Sequence, residues 1–103
     1  MDYQSISVAP LSGAMGAEIS GVDLGKNLSN QVFTEIHQAL LENLVIVFHD
    51  QSLTPEACKL FAQKFGKLVK YPFVDGLHQL PEIFEIRKEP DEKKNFGGHW
   101  HSD

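Results

Sequence analysis

The sequence is poor in cysteine, in basic residues and in long apolar runs, and each shortage excludes a class of protein. Its single cysteine, Cys58, cannot form an internal disulfide, so we expect a reducing, cytoplasmic location. Nine lysines and arginines against fourteen aspartates and glutamates give a formal net charge of -5, whereas nucleic-acid binding needs a basic surface. The longest apolar run, residues 44–48, is far shorter than the roughly 20 residues that span a bilayer. We therefore expect neither a nucleic-acid partner nor a membrane partner.

The remaining composition is that of an ordinary folded protein. Of the 103 residues, 42% are hydrophobic and 22% are charged, which argues against disorder and against fibrous repeats. A chain of this length corresponds to one small domain, so we predict a single domain over residues 1–103.

Apolar periodicity predicts a mixed α/β fold. Alternation over residues 3–10 and 17–22, with glycines between them, is typical of a β-hairpin. Ser29 is a suitable N-cap for a helix that runs to about Asn43. The apolar stripe predicted along this helix consists of Phe33, Ile36, Leu40 and Leu44.

Three further elements are predicted downstream. Residues 44–48 are apolar throughout and rich in β-branched side chains, which favours a strand buried on both faces. Thr54 and Pro55 predict the start of a second helix, and we expect Cys58 to be buried on its apolar face. Alternating apolar residues then predict a strand from Glu82 to Arg87.

Residues 97–103 carry the densest group of potential metal ligands. On an extended strand His101 and Asp103 project from the same face, so an imidazole nitrogen and a carboxylate oxygen point into one pocket. These are two of the three ligands in the facial triad that binds non-haem Fe(II) and leaves coordination positions open. Trp100 faces the other way, and we expect it to anchor this strand in the core.

The residues alone leave alternatives open. A His-x-Asp triplet arises often by chance, in which case it is a surface pair without a function. His99 lies on the same predicted face, so His99, His101 and Asp103 could instead form a zinc, nickel or copper site. The alternative to an enzyme is a non-catalytic binding module that pairs with itself or with a partner through an open sheet edge.

Several segments together resemble one protein family. Gly-Gly-His-Trp-His-Ser-Asp at 97–103 is similar to the iron-binding signature of the taurine dioxygenase family of Fe(II)- and 2-oxoglutarate-dependent dioxygenases. Residues 16–24 resemble the N-terminal hairpin of that family, residues 47–55 its central strand and helix start, and Phe65-Gly66 its helix end. The order and spacing of these segments agree with the family across nearly the whole chain.

The resemblance implies a fold and a set of site residues. The implied fold is the N-terminal portion of a double-stranded β-helix (jelly roll), with the barrel incomplete. His101 and Asp103 match the first two iron ligands, and Tyr71 falls near a substrate-contacting position of the family. The third ligand, a distal histidine, and the arginine that binds 2-oxoglutarate are expected beyond residue 103. We therefore expect this chain to be the N-terminal third or so of an enzyme.

The resemblance also implies a reaction, the oxidative hydroxylation of a small, anionic organic substrate such as a sulfonate. Fe(II) is the implied metal and 2-oxoglutarate the cosubstrate, which yields succinate and carbon dioxide as O2 is consumed. Tyr71 differs from a histidine of taurine-specific members, which leaves the substrate open. We expect the 103 residues alone to bind metal weakly, to be inactive, and to form a homo-oligomer if the sheet edge is open.

Overall fold

A computed structural model describes residues 2–70, 72, 75–94 and 97–102. It divides into two compact units, Met1–Leu68 and Val69–Asp103. All named helices and strands of the described residues lie in the first unit, and they make the mixed α/β class predicted from periodicity. That both units belong to one domain over residues 1–103 stays a prediction.

A three-stranded sheet forms the centre of the first unit. β1 (Ser7–Pro10) and β2 (Ala17–Ser20) pair in antiparallel register, with Val8 opposite Ile19, which confirms the predicted hairpin. β3 (Ile46–Phe48) pairs in parallel with the other side of β2, so that Ala17 lies opposite Ile46. The strand order is therefore β1-β2-β3, with β1 and β3 at the edges.

The helix α1 (Asn30–Asn43) begins and ends where the sequence predicts. The Ser29 hydroxyl accepts a hydrogen bond from the N–H of Val32 at 3.1 Å, which satisfies one of the free donors of the first turn. The residues that α1 buries completely are Glu35, Ile36 and Ala39. The two apolar ones join the core cluster with residues of the hairpin and of the loop that follows it.

The predicted apolar stripe of α1 is wrong at its end. Leu44 is not helical, and its side chain is 65% exposed. Its φ is 71° and its ψ is −34°, and the N–H of Val45 donates to the carbonyl of Asn43 at 2.8 Å. This is a γ-turn with positive φ, a strained geometry that turns the chain out of the helix and toward β3. The turn carries Leu44 away from the buried face.

β3 is also less buried than the sequence predicts. Ile46, Val47 and Phe48 are all half-buried, and Val45 before them is exposed. Ile46 and Phe48 pack against the core on one face. Val47, on the other face, is not part of that cluster, so within the described residues β3 packs on the core through one face and is not buried on both.

The helix α2 (Pro55–Gln63) starts as predicted at its N-cap, because the Thr54 hydroxyl accepts from the N–H of Ala57 at 3.1 Å. The prediction that Cys58 is buried is wrong, since its thiol lies on the exposed side of this short helix. The packing contacts here come instead from aromatic rings. Phe61 of α2 meets Phe48 edge-to-face at 5.9 Å between ring centroids, and Phe65, two residues after the helix, meets Phe33 of α1 at 5.0 Å.

Two carboxylates of α1 hold the N-terminal segment. Glu35, which is fully buried, accepts hydrogen bonds from the backbone N–H groups of Gln4 and Ser5 at 2.7 and 2.9 Å. Its other oxygen accepts from the Gln31 amide at 2.7 Å. Near the other end of the helix, the Tyr3 hydroxyl donates to Glu42 at 2.6 Å. Burial and this contact with Glu42 raise the pKa of Tyr3 to about 12.

The second unit has little regular structure among its described residues. One isolated bridge joins Leu77 to Leu80, and the N–H of Leu77 donates to the carbonyl of Ile83 at 2.6 Å. The predicted strand from Glu82 to Arg87 is wrong, because these residues form no strand. Ile83 instead uses both of its backbone groups locally, donating to the carbonyl of Leu80 and accepting from the N–H of Leu77. No helix in the described part of the chain is long and apolar enough to cross a membrane.

Candidate functional site

The candidate site lies on the segment 97–102 of the second unit. Gly97 has φ +70° and forms a turn, and no strand is present over these residues. The turn brings the backbone of Gly97 near the His101 ring, so that a Cβ at Gly97 would lie 3.5 Å from Cε1. An open pocket is lined by Gly97, Gly98, His99, Trp100 and His101. The local geometry is thus a turn folded around an imidazole rather than the extended strand expected from the sequence.

The ring of His101 has a defined tautomer in this geometry. Its Nδ1 lies 2.7 Å from the carbonyl oxygen of His99. A carbonyl oxygen can only accept, so Nδ1 must carry the proton and donate. In the neutral ring the lone pair is then on Nε2. This arrangement, in which a backbone carbonyl orients the ring, is typical of histidines that bind metals.

His101 therefore fits the donor chemistry of Fe(II), which accepts imidazole nitrogen readily. The predicted carboxylate ligand, Asp103, and the predicted substrate contact, Tyr71, lie outside the described residues. Within residues 2–70, 72, 75–94 and 97–102, no three His, Cys, Asp or Glu side chains are grouped so that they could hold a metal ion. The roles of His101, Asp103 and Tyr71 stay predictions.

The structure changes the expected roles of the neighbours of His101. His99 contributes its backbone carbonyl to the His101 ring, a contact that does not depend on its side chain. The expectation that Trp100 anchors a strand in the core is wrong, because its side chain is fully exposed. The physical reason is local: the described residues of the second unit form no sheet on which the indole could pack.

Sequence reasoning missed two features of the first unit. His37 stacks on Phe33 with an interplanar angle of 6° and a centroid separation of 6.0 Å, and Lys64 lies over the same Phe33 ring at 5.8 Å. The i, i+4 spacing of Phe33 and His37 could have indicated the stack. The buried carboxylate of Glu35 had no signal in the sequence, because its backbone donors lie about 30 residues away.

Comparison with known proteins gives a consistent assignment. The chain matches the family model described as taurine catabolism dioxygenase TauD, TfdA family over residues 7–103. It is 36% identical over 101 residues to an alkylsulfatase of Acinetobacter baylyi, which covers 97% of this chain and 31% of the relative. It is 29% identical over 99 residues to an alpha-ketoglutarate-dependent sulfate ester dioxygenase of Pseudomonas putida, covering 95% of this chain and 32% of the relative.

Solved structures agree with the sequence match. The crystal structure of a taurine dioxygenase from Burkholderia xenovorans superimposes with a TM-score of 0.71 at 37% identity, over 76% of this chain and 28% of that one. The chain spans about a third of the length of the curated relatives it matches. Since the family match covers almost every residue, the chain belongs to the TauD, TfdA family of dioxygenases.

Proposed function

We propose that this chain is the N-terminal portion of an Fe(II)- and 2-oxoglutarate-dependent dioxygenase with a jelly-roll fold. The proposed substrate is a small organic anion such as a sulfonate or a sulfate ester. The observation that carries the proposal is the extent of the family match, which runs through residues 7–103 and so includes the predicted ligands His101 and Asp103. The relative from Pseudomonas putida is named for its dependence on alpha-ketoglutarate and for sulfate esters, which supports both the cosubstrate and the substrate class.

When bound, Fe(II) together with 2-oxoglutarate would supply the chemistry that uses O2 to oxidise the substrate. The contribution of this chain is ligand geometry. His101 presents Nε2 because the His99 carbonyl holds the proton on Nδ1. Asp103 is proposed to add a carboxylate that offsets one positive charge of the metal, and Tyr71 is proposed to contact the substrate.

The single arginine of this chain is not clearly placed to bind the carboxylate of 2-oxoglutarate. Its single arginine, Arg87, has its Nε 2.8 Å from a carboxylate oxygen of Glu89, at an exposed position. An arginine that binds a 2-oxoglutarate carboxylate needs its guanidinium directed at the ligand. The relatives are longer than this chain. We therefore propose that the arginine for 2-oxoglutarate and the third iron ligand correspond to the part of the relatives that this chain does not span. We also propose that the 103 residues alone are inactive. A non-catalytic module is the less favoured function, since the match includes the predicted ligands.

A chimera tests the proposal. The matched part of the Acinetobacter baylyi alkylsulfatase is replaced by residues 1–103, and succinate formation is measured with Fe(II), 2-oxoglutarate, ascorbate and an alkyl sulfate. We expect turnover in the chimera and none with the 103 residues alone. His101→Ala and Asp103→Ala should each abolish turnover, whereas the matched control His78→Ala should keep it. Turnover that survives loss of either ligand, or full turnover by the isolated chain, would contradict the proposal.

A further inference from the structure

The imidazole of His101 has two close neighbours within its own segment. Its Nδ1 lies 2.7 Å from the carbonyl oxygen of His99. On the adjacent ring atom, Cε1, the neighbour is Gly97, since a Cβ built on this glycine would lie only 3.5 Å away. Cε1 is bonded to both ring nitrogens, so Gly97 lies beside the atoms that carry the chemistry of the ring.

These two contacts together restrain the orientation of the ring. A histidine side chain has only the torsions χ1 and χ2, so contacts at two adjacent ring atoms leave little freedom for either. The hydrogen bond at Nδ1 selects the tautomer. The approach of the Gly97 backbone limits movement of Cε1 away from that hydrogen bond.

The backbone of Gly97 also needs to be glycine. Its φ of +70° lies in the left-handed region, which residues with a Cβ disfavour and β-branched residues avoid. A longer side chain would extend from a Cβ that already touches the His101 ring. Replacement by valine therefore opposes both the turn and the position of the ring.

We propose that Gly97 is a positioning residue for His101. Its positive-φ turn and its lack of a side chain keep the imidazole at the His99 carbonyl, with Nε2 as the donor for a metal ion. The part of this inference that concerns the metal rests on the proposed function, in which His101 is an iron ligand. Groups that orient a metal-binding histidine usually act by hydrogen bonding, whereas Gly97 acts by backbone contact.

NMR of the full chain without metal tests the positioning. We expect a nuclear Overhauser effect between Hα of Gly97 and Hε1 of His101, and a single tautomer of the neutral ring. Gly97→Val should remove this cross-peak and give a mixture of tautomers, because the displaced ring loses the His99 carbonyl. Gly13→Ala is the control, since a Cβ there meets no described atom within 4 Å, and it should leave the ring unchanged.

A chain with D-alanine in place of Gly97 separates the need for this turn from a general sensitivity to substitution. D-alanine favours positive φ, and its methyl group replaces the other α-hydrogen of the glycine. Cys58 allows synthetic segments 1–57 and 58–103 to be ligated, so the D-residue can be introduced. We expect the D-alanine chain to keep the single tautomer that Gly97→Val loses.

Mn(II) alone, used as a paramagnetic probe, measures the consequence for metal binding. It should broaden the Hε1 signal of His101 at lower concentration than that of the exposed His78. Gly97→Val should raise the Mn(II) concentration needed at His101 about tenfold, the effect typical of losing a group that orients a metal ligand.

The outcomes separate this inference from the proposed function. A mixture of tautomers in the unchanged chain overturns the inference, as does a Gly97→Val chain that keeps one tautomer and the same response to Mn(II). Equal losses for valine and D-alanine at position 97 also overturn it. A single tautomer that depends on Gly97, in a ring that Mn(II) does not broaden, would support the positioning and contradict the proposed role of His101 as an iron ligand.

Discussion

Glu35 is a charged side chain at the centre of the first unit, and the physical reason it is tolerated is its set of donors. Burial alone raises the pKa of this carboxyl, but hydrogen bonds from Ser5, Gln31 and Gln4 outweigh burial and hold the pKa at about 2, below the ordinary 4.5. A buried carboxylate with several donors connects the N-terminal segment to α1 more firmly than apolar contact alone. The charge of Glu35 therefore contributes to the stability of the folded chain.

Stability should depend on the charge of Glu35 at low pH. Because the pKa is lower in the folded chain, the stabilising contribution is complete above about pH 4.5 and is lost as the pH falls toward 2. We expect Glu35→Gln to lower the urea midpoint strongly at pH 7, and the gap to wild type to narrow between pH 4.5 and 2. Glu92→Gln, at an exposed loop position, is the control. A gap that stays constant over this range would contradict the prediction.

The His101 ring offers a second measurement at the scale of one residue. Since Nδ1 donates to the His99 carbonyl, the neutral ring should be the Nδ1–H tautomer. Long-range proton–nitrogen NMR correlations distinguish the two ring nitrogens, and we expect the unprotonated nitrogen to be Nε2. Exposed His78 serves as the comparison. Finding the proton of neutral His101 on Nε2 would remove the proposed orientation of this ligand.

The potential iron ligands could be named from sequence, whereas the orientation of His101 could not. Two residues at i and i+2, with a resemblance to a family signature, were enough to select His101 and Asp103 as candidates, and their roles stay predictions. The tautomer depends on the contact with the His99 carbonyl, whereas the i and i+2 spacing of His101 and Asp103 assumed an extended strand that the structure does not have at residues 97–102. The prediction that Trp100 is buried was wrong for the same reason, because the segment forms no strand that could pack its indole on a core.

At the scale of elements, the junction between α1 and β3 is the strained point of the first unit. Leu44 adopts φ 71° in a γ-turn although leucine disfavours positive φ. This turn allows the chain to pass directly from α1 into β3. The cost of such a backbone for a residue with a Cβ is about 1–3 kcal/mol.

Replacing Leu44 by glycine should therefore stabilise the chain. Glycine relieves the strain and removes little buried apolar area. Because glycine gives the unfolded chain more conformational freedom, it also lowers the free energy of unfolding by roughly 0.5–1 kcal/mol. We expect the free energy of unfolding to rise by about 1 kcal/mol in total. Leu41→Gly is a matched control, because Leu41 is 60% exposed but helical, and it should lose about 1 kcal/mol. Urea denaturation measures both. Equal losses for the two variants would show that Leu44 is unstrained.

Element boundaries were predictable where the signal was local. The caps Ser29 and Thr54 placed both helix starts correctly, since a hydroxyl acting on a donor three residues away needs no tertiary contact. The predicted strand at 82–87 failed because a strand needs a neighbour that no short window contains. The burial of β3 was overestimated for a related reason, since its composition gives no information about whether another layer covers its second face.

At the scale of the whole molecule, the two units differ in what holds them together. Every residue of the buried core cluster lies before Val69. A chain that ends at Leu68 should therefore keep its helices, seen by far-ultraviolet circular dichroism, and change its unfolding free energy by less than about 1 kcal/mol. Ending the chain instead at Asn43 removes β3 and α2 and should unfold it. Loss of structure on ending at Leu68 would show that the described core depends on the second unit.

Pro10 makes the β1 edge of the sheet a poor site for adding a further strand. In polymer chemistry a molecule with one reactive end terminates growth, whereas one with two reactive ends propagates it. Pro10 lies on the edge strand β1 and has no N–H to donate, so a strand added there would lack one ladder hydrogen bond. Repeated addition of strands along this sheet is therefore disfavoured on the β1 side.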